Sequence, residues 1–359
     1  MAKPKKIAIF YTGAKHWGGV ETYIEKIFQK VDPNKLDLTL VSLGKWELGE
    51  KLKQQKYPVI FIHASWYSPL VPSNLAKVLK DGGFDLVTSQ GMVANFFARV
   101  GSKLSGVPNL VTIHSDYKFD YQGYKQLLFR ITFWLTKSFT SKYVVVSRFL
   151  LDETVGLGVT KDKIELVYNG VEAIAAQPKN TNNQLVFGSL GRLHYKKGYH
   201  LLVQAVKILA YPNIKVYIWG DGEEKDQLTE QIRLAGLENQ VVLKGFTKNI
   251  GGSLAEVDYY IQPSLEEGFG ITVAEAMYAQ KPVIVTPAGS LPELIQDGKT
   301  GIIASAVTPE SIAVAMKTLI ENRDLADKLA VNARKYALAN FGIETWIKKL
   351  TEVYLGASK

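Results

Sequence analysis

Two carboxylates, Glu267 and Glu275, stand on either side of Gly268, Phe269 and Gly270 in the stretch LEEGFGITVAEA, residues 265–276. The preceding YYIQPS reads as a strand, and ITVAEAMYAQ as a helix whose first turn, with Ile271 and Thr272, follows Gly270. A helix N-terminus presents unpaired amides and a partial positive charge, and glycine lets a ligand approach the backbone closely. A carboxylate accepts two hydroxyl hydrogen bonds. Glu267 at the loop and Glu275 more than a turn into the helix would therefore clamp two hydroxylated ends of one elongated ligand. The spacing fits equally well a plainer arrangement, with Glu266 and Glu267 as acids favoured by the helix dipole and Glu275 solvated.

A second group lies in GRLHYKKG, after the strand-like run LVFGSLG. Arg192 offers a planar fork of donors to a diphosphate, and Lys197 adds a compact charge. Lys196 reads as a solvated neighbour.

The elements that must hold these residues come in two series of short β-branched and aromatic runs separated by helical spacing, the pattern of parallel α/β units. The first includes KIAIFY, LDLTLVSL, PVIFIHA, FDLVTSQ, LVTIHS, YVVVS and IELVYNG; the second includes LVFGSLG, KVYIWGDG, VVLKGF, YYIQPS, PVIVTP and TGIIAS. Between them, residues 172–184 are polar, contain proline and lack periodicity. The expected fold is α/β, with two doubly wound, Rossmann-like domains facing across a cleft. Residues 1–172 form the N-terminal domain, 173–184 the linker and 185–340 the C-terminal domain, and a helix at about 341–359 packs back on the first domain. In such sheets ligands sit beyond the carboxyl ends of the strands, where both candidate groups fall.

The chain of 359 residues, 47% hydrophobic and 21% charged, has globular proportions. It has no cysteine, which removes disulfides, thiolate metal sites and thiol nucleophiles and suits a reducing compartment. No signal-peptide pattern and no span of membrane-crossing length is expected, so the chain reads as cytoplasmic. The whole of the net charge of +9 arises before Gly170. A one-sided basic surface suits nucleic acid, anionic lipid or a phosphorylated ligand, but no RNA-binding signature accompanies it. The YTGAKHWGG segment also lacks the G-x-G-x-x-G dinucleotide fingerprint.

The ordered set GRLHYKKG, LEEGFGITVAEA and PVIVTPAGSLPELIQDGKTGII resembles the retaining glycosyltransferases of family 4, which have the GT-B fold. The likeness runs over nearly the whole chain and is strongest at residues 186–303. It implies that Glu267 and Glu275 contact the donor sugar and the nucleotide ribose, and that Arg192 and Lys197 bind the diphosphate. It implies further that Gly18 and Gly19, in KHWGGVET, close over the donor phosphate. His114, after NLVTIH, matches an active-site histidine near the donor sugar. Gly245 and Phe246 match the loop against the nucleotide base, although a buried aromatic is the ordinary expectation at Phe246. Asn169-Gly170 matches an interdomain hinge. His16, Trp17 and Tyr117 fall on the acceptor side. Glu21 reads as an acid satisfying the dipole of the following helix.

The implied reaction moves a sugar from a nucleotide-diphosphate donor, by family frequency a UDP-sugar, to a hydroxyl of a glycan or lipid-linked glycan acceptor in polysaccharide synthesis. Configuration is retained, and the departing phosphate takes the acceptor proton. No Asp-X-Asp motif is present, so no metal is demanded, and the donor is substrate rather than cofactor. The segment GYKQLLFRITFWLTKSF, residues 123–139, mixes cations with large apolar residues. Its apolar content favours core packing, while its cations suit an anionic bilayer. Sugar-nucleotide epimerases, soluble glucan transferases and a non-catalytic nucleotide-sugar-binding subunit are the alternatives.

Overall fold

The computed structural model describes residues 3–13, 17–65, 67–120, 123–176 and 184–358. The chain divides into two units, one of residues 1–169 with 344–359 and one of residues 170–343. Residues 173–176 of the expected linker lie in the second unit, and 177–183 lie outside the described residues.

In the first unit, β1 (Lys5–Tyr11), β2 (Leu36–Leu43), β3 (Val59–Ile62), β4 (Leu86–Gln90), β5 (Asn109–Ile113), β6 (Lys142–Val145) and β7 (Ile164–Leu166) build a seven-stranded sheet in the order β3-β2-β1-β4-β5-β6-β7. Every pairing is parallel. Helices cover both faces of such a sheet, so an inner strand is buried on both sides: Ile7, Ala8, Ile9 and Phe10 of β1 are all fully buried. Strand order reverses between β1 and β4, which opens a crevice at their carboxyl ends. The C-terminal helix Ile343–Ala357 belongs almost entirely to this unit, where the Trp346 ring meets Tyr23 edge-on at 5.0 Å and Tyr354 is fully buried.

The second unit holds β8 (Leu185–Leu190), β9 (Ile214–Trp219), β10 (Val241–Gly245), β11 (Tyr259–Gln262), β12 (Val283–Val285) and β13 (Ile302–Ile303), in the order β10-β9-β8-β11-β12-β13 and again all parallel. Its reversal falls between β8 and β11. Those two strands deliver GRLHYKKG and LEEGFG at adjacent carboxyl ends. Every run of both sequence series is a strand.

Candidate active site

The loop after β8 is shaped by local bonds. The Lys196 amide donates to Nδ1 of His194 at 3.1 Å, folding Tyr195–Lys197 into a single tight turn that ends at Gly198 with φ +67°. A Cβ on Gly198 would lie 1.9 Å from the Pro263 carbonyl oxygen, so only glycine lets the loop press against the chain leaving β11. The Leu265 amide then donates to the Lys196 carbonyl at 2.7 Å. Residues distant in sequence are thereby locked side by side.

This contact brings Lys197 to Glu267, Nζ to Oε2 at 2.7 Å, with both side chains largely buried. The same carboxylate oxygen accepts from Ser264 Oγ at 3.3 Å. Behind Ser264 runs a buried chain: Tyr260 OH donates to Gln262 Oε1 at 2.8 Å, and Gln262 Nε2 donates to Ser264 Oγ at 2.8 Å. Thr272 Oγ1 also reaches Gln262 Oε1, at 3.3 Å. All donation runs toward Glu267, which aims its carboxylate. The Glu267 carbonyl accepts from the amide and hydroxyl of Ser290 at 3.0 and 3.1 Å, fixing the loop as well as the side chain.

Gly270, at φ +91°, caps the helix Ile271–Tyr278, with Gly268 and Gly270 buried and Thr272 and Glu275 half-buried along its start. Phe269 turns inward: its ring is buried and meets Phe341 edge-on at 5.7 Å, leaving its backbone as the part that can face a ligand. Arg192 pairs with Glu223 at 3.1 Å, and His194 Nε2 approaches the other oxygen of Glu223 at 3.3 Å. Arg192 and Glu223 are both about half exposed, so their bond is weak and exchangeable for a ligand anion.

Two ordinary expectations are corrected. Lys196 is not a solvated neighbour: its Nζ lies 3.4 Å from the buried carboxylate of Glu266, so both residues are structural. Phe246 is not a core aromatic; it is 59% exposed, immediately after Gly245, which takes φ +74° at the end of β10. The Gly220 amide donates to the Gly245 carbonyl at 2.9 Å, and a Cβ on Gly220 would fall 1.9 Å from the Gly191 carbonyl oxygen. The ends of β10, β9 and β8 are drawn together by glycine backbone.

The first unit carries the other candidates. Gly18 and Gly19 are exposed after β1 and open the helix Gly19–Lys30. Glu21 does more than meet the dipole. It is buried, receives the Tyr11 hydroxyl at 2.6 Å, and reaches back to the Gly18 amide at 2.8 Å, tying the glycine step to β1. His114, half-buried, follows β5; its Nε2 stands 2.7 Å from Gln90 Oε1 at the end of β4, and Tyr23 meets its ring edge-on at 4.7 Å. Burial of the imidazole pushes its pKa down to about 4, so the ring is neutral near pH 7. Donation to Gln90 leaves Nδ1 as an acceptor. Trp17 is half-buried, its Nε1 bonded to Thr22 at 3.0 Å. Tyr117 is buried and stacked on Phe129 at 4.8 Å, not presented on the surface. His16 lies outside the described residues. Among the described residues, no three His, Asp or Glu stand together as a metal site.

The model described as Glycosyltransferase Family 4 matches residues 17–173, and the model described as Glycosyl transferases group 1 matches residues 171–336. The chain belongs to these glycosyltransferases. An uncharacterized glycosyltransferase of Methanocaldococcus jannaschii is 29% identical over 235 residues, 59% of each chain. A lipopolysaccharide core biosynthesis mannosyltransferase of Rhizobium leguminosarum is 29% identical over 174 residues, 46% of this chain and 49% of that one. The alignments thus span roughly half to three fifths of these relatives. The crystal structure of Anabaena HepE in complex with UDP superposes with a TM-score of 0.86 at 22% identity, covering 98% of this chain and 100% of that one. The fold is GT-B.

Of the candidate residues, the family 4 match contains Gly18, Gly19 and His114, and the group 1 match contains Arg192, Lys197, Glu267 and Glu275. Sequence reasoning missed Glu223, Ser264 and Ser290. The first had a signal in GDGEE after β9, a glycine pair at a strand end followed by acids. The two serines are ordinary in sequence and acquire meaning only from their bonds to Glu267.

Proposed function

We propose that this chain transfers a sugar, with retention of anomeric configuration and without a metal ion or cofactor, from a UDP-sugar to a hydroxyl of a glycan or lipid-linked glycan in envelope polysaccharide synthesis. The observation that carries the reading is the Lys197–Glu267 pair beside the Gly270-capped helix, at the point where strand order reverses. The cation and helix amides would serve a diphosphate, and the carboxylate of Glu267, held by Lys197 and Ser264, would serve sugar hydroxyls. Arg192 would exchange Glu223 for the diphosphate, Glu275 would take the ribose diol, and Gly18 and Gly19 would approach the donor phosphate.

The bond from the anomeric carbon to the diphosphate oxygen breaks while the acceptor oxygen bonds to that carbon from the same face, and the acceptor proton passes to the departing phosphate. Preorganised cations and amides stabilise the leaving charge. His114, neutral, would serve as a hydrogen-bond partner to the donor sugar. The UDP complex of Anabaena HepE supports the uridine donor, and the mannosyltransferase of Rhizobium leguminosarum supports an envelope glycan acceptor. Among the described residues no helix is long and apolar enough to cross a membrane; a lipid-linked acceptor would be met by peripheral association at the cytoplasmic face.

Thermal unfolding against UDP-, GDP- and ADP-sugars with a chelator present tests the donor, because a ligand that binds only the native state raises the midpoint. A rise with UDP-sugars that Arg192→Ala abolishes supports the reading. A rise with GDP- or ADP-sugars instead overturns the base, and NMR of the product's anomeric proton decides retention.

A further inference from the structure

The helix Tyr124–Thr136 buries Phe133 and Thr136 and turns most of its apolar side chains outward. Tyr124, Leu127, Leu128, Ile131, Trp134 and Leu135 are exposed, Trp134 by 68%. At about 100° per residue these six fall within roughly a third of the helix circumference. Lys125 borders that arc on one side and Arg130 on the other, both exposed, while Phe129 and Phe133 point the opposite way. The sequence contains no Asp or Glu between Asp120 and Asp152. Core packing, the ordinary expectation for so apolar a segment, is therefore corrected: the core takes only one narrow face.

A continuous apolar face of this kind marks an interaction surface. Its borders decide the partner. A second copy would bring the same cations against these, on a chain whose charge is already +9. An anionic bilayer meets every part: Leu and Ile enter the acyl boundary, Trp134 and Tyr124 sit among the headgroups, and Lys125 and Arg130 meet lipid phosphates. We propose that the helix Tyr124–Thr136 lies in the plane of an anionic phospholipid surface and anchors the protein there. The proposal rests on the reading of a lipid-linked acceptor and names the element that would bring the chain to it.

Vesicle flotation tests it, with phosphatidylcholine alone and with phosphatidylcholine containing phosphatidylglycerol. The wild type is expected to float with the anionic vesicles, less so at high salt, and brominated lipid is expected to quench Trp134 fluorescence. Leu128→Asp with Leu135→Asp should weaken binding about tenfold or more. Lys125→Glu with Arg130→Glu should remove the preference for anionic lipid. Both pairs are exposed, and an unchanged UDP-sugar thermal shift certifies their fold. Equal binding to neutral vesicles, undiminished binding by the Asp pair, or a dimer that the Asp pair dissolves would each overturn the proposal. Loss of vesicle binding with the donor shift intact strikes only the anchor; loss of the donor shift with anionic-vesicle binding intact strikes only the proposed reaction.

Discussion

Lys197 and Glu267 meet at 2.7 Å across a sequence separation that two loops close, and the Glu267 oxygen that takes the lysine also takes the Ser264 hydroxyl. The carboxylate would thus keep a donor of its own if the proposed diphosphate drew on the lysine. One side of the pair can change partner while the other stays aimed.

Removing either reacting-site charge should stop transfer without unfolding the protein. Glu267→Ala and Arg192→Ala are each expected to lower kcat/KM by about 100-fold or more, with thermal midpoints near the wild type's. Near wild-type turnover in either would dismiss the donor-site assignment.

The buried donors behind Glu267 should act through its orientation. Ser264→Ala removes one hydrogen bond to a carboxylate, worth about 1.5–3 kcal/mol, and is expected to lower kcat/KM about tenfold or more while the Lys197 contact remains. Steady-state kinetics on Ser264→Ala and Ser264→Thr separate aim from packing: threonine, which retains the hydroxyl, should restore much of the loss.

Gly198→Ala should be more damaging than its size suggests. The left-handed backbone alone costs about 1–3 kcal/mol for a non-glycine residue, and the new Cβ would sit 1.9 Å from the Pro263 carbonyl oxygen. A lower unfolding midpoint together with loss of the UDP-sugar shift is expected; a midpoint equal to the wild type's would contradict the loop contact.

His114 predicts an acid-side loss of stability. Its pKa is about 4 in the folded chain and about 6.5 when unfolded, so between these values the unfolded state binds the extra proton. Stability should therefore be fully present above pH 6.5 and fall as pH drops toward 4. Unfolding midpoints measured across that window should decline, and His114→Gln should flatten its share of the decline.

The strands were legible because a parallel sheet covered on both faces needs unbroken apolar runs such as KIAIFY and YVVVS, and little else in the chain has that form. That Lys197, Glu267 and the glycines beside them meet at strand ends was legible because each stands directly after an apolar run. What stayed hidden depended on partners far along the chain. Nothing in KKG distinguishes Lys196, paired with buried Glu266, from Lys197, paired with Glu267. Phe246 and the helix Tyr124–Thr136 show the complementary difficulty: apolar composition states that a side chain avoids water, but not that a neighbour is present to cover it.

The helix Ile343–Ala357 also sets an order of events during synthesis. Trp346 and Tyr354 fill the interior of the first unit, yet residues 170–343, all of the second, leave the ribosome before them. The second unit can close its sheet as it emerges, while the first waits with Tyr23 uncovered. Release of a nascent chain before residue 344 would leave the earlier-made half, not the later, as the one that chaperones must hold.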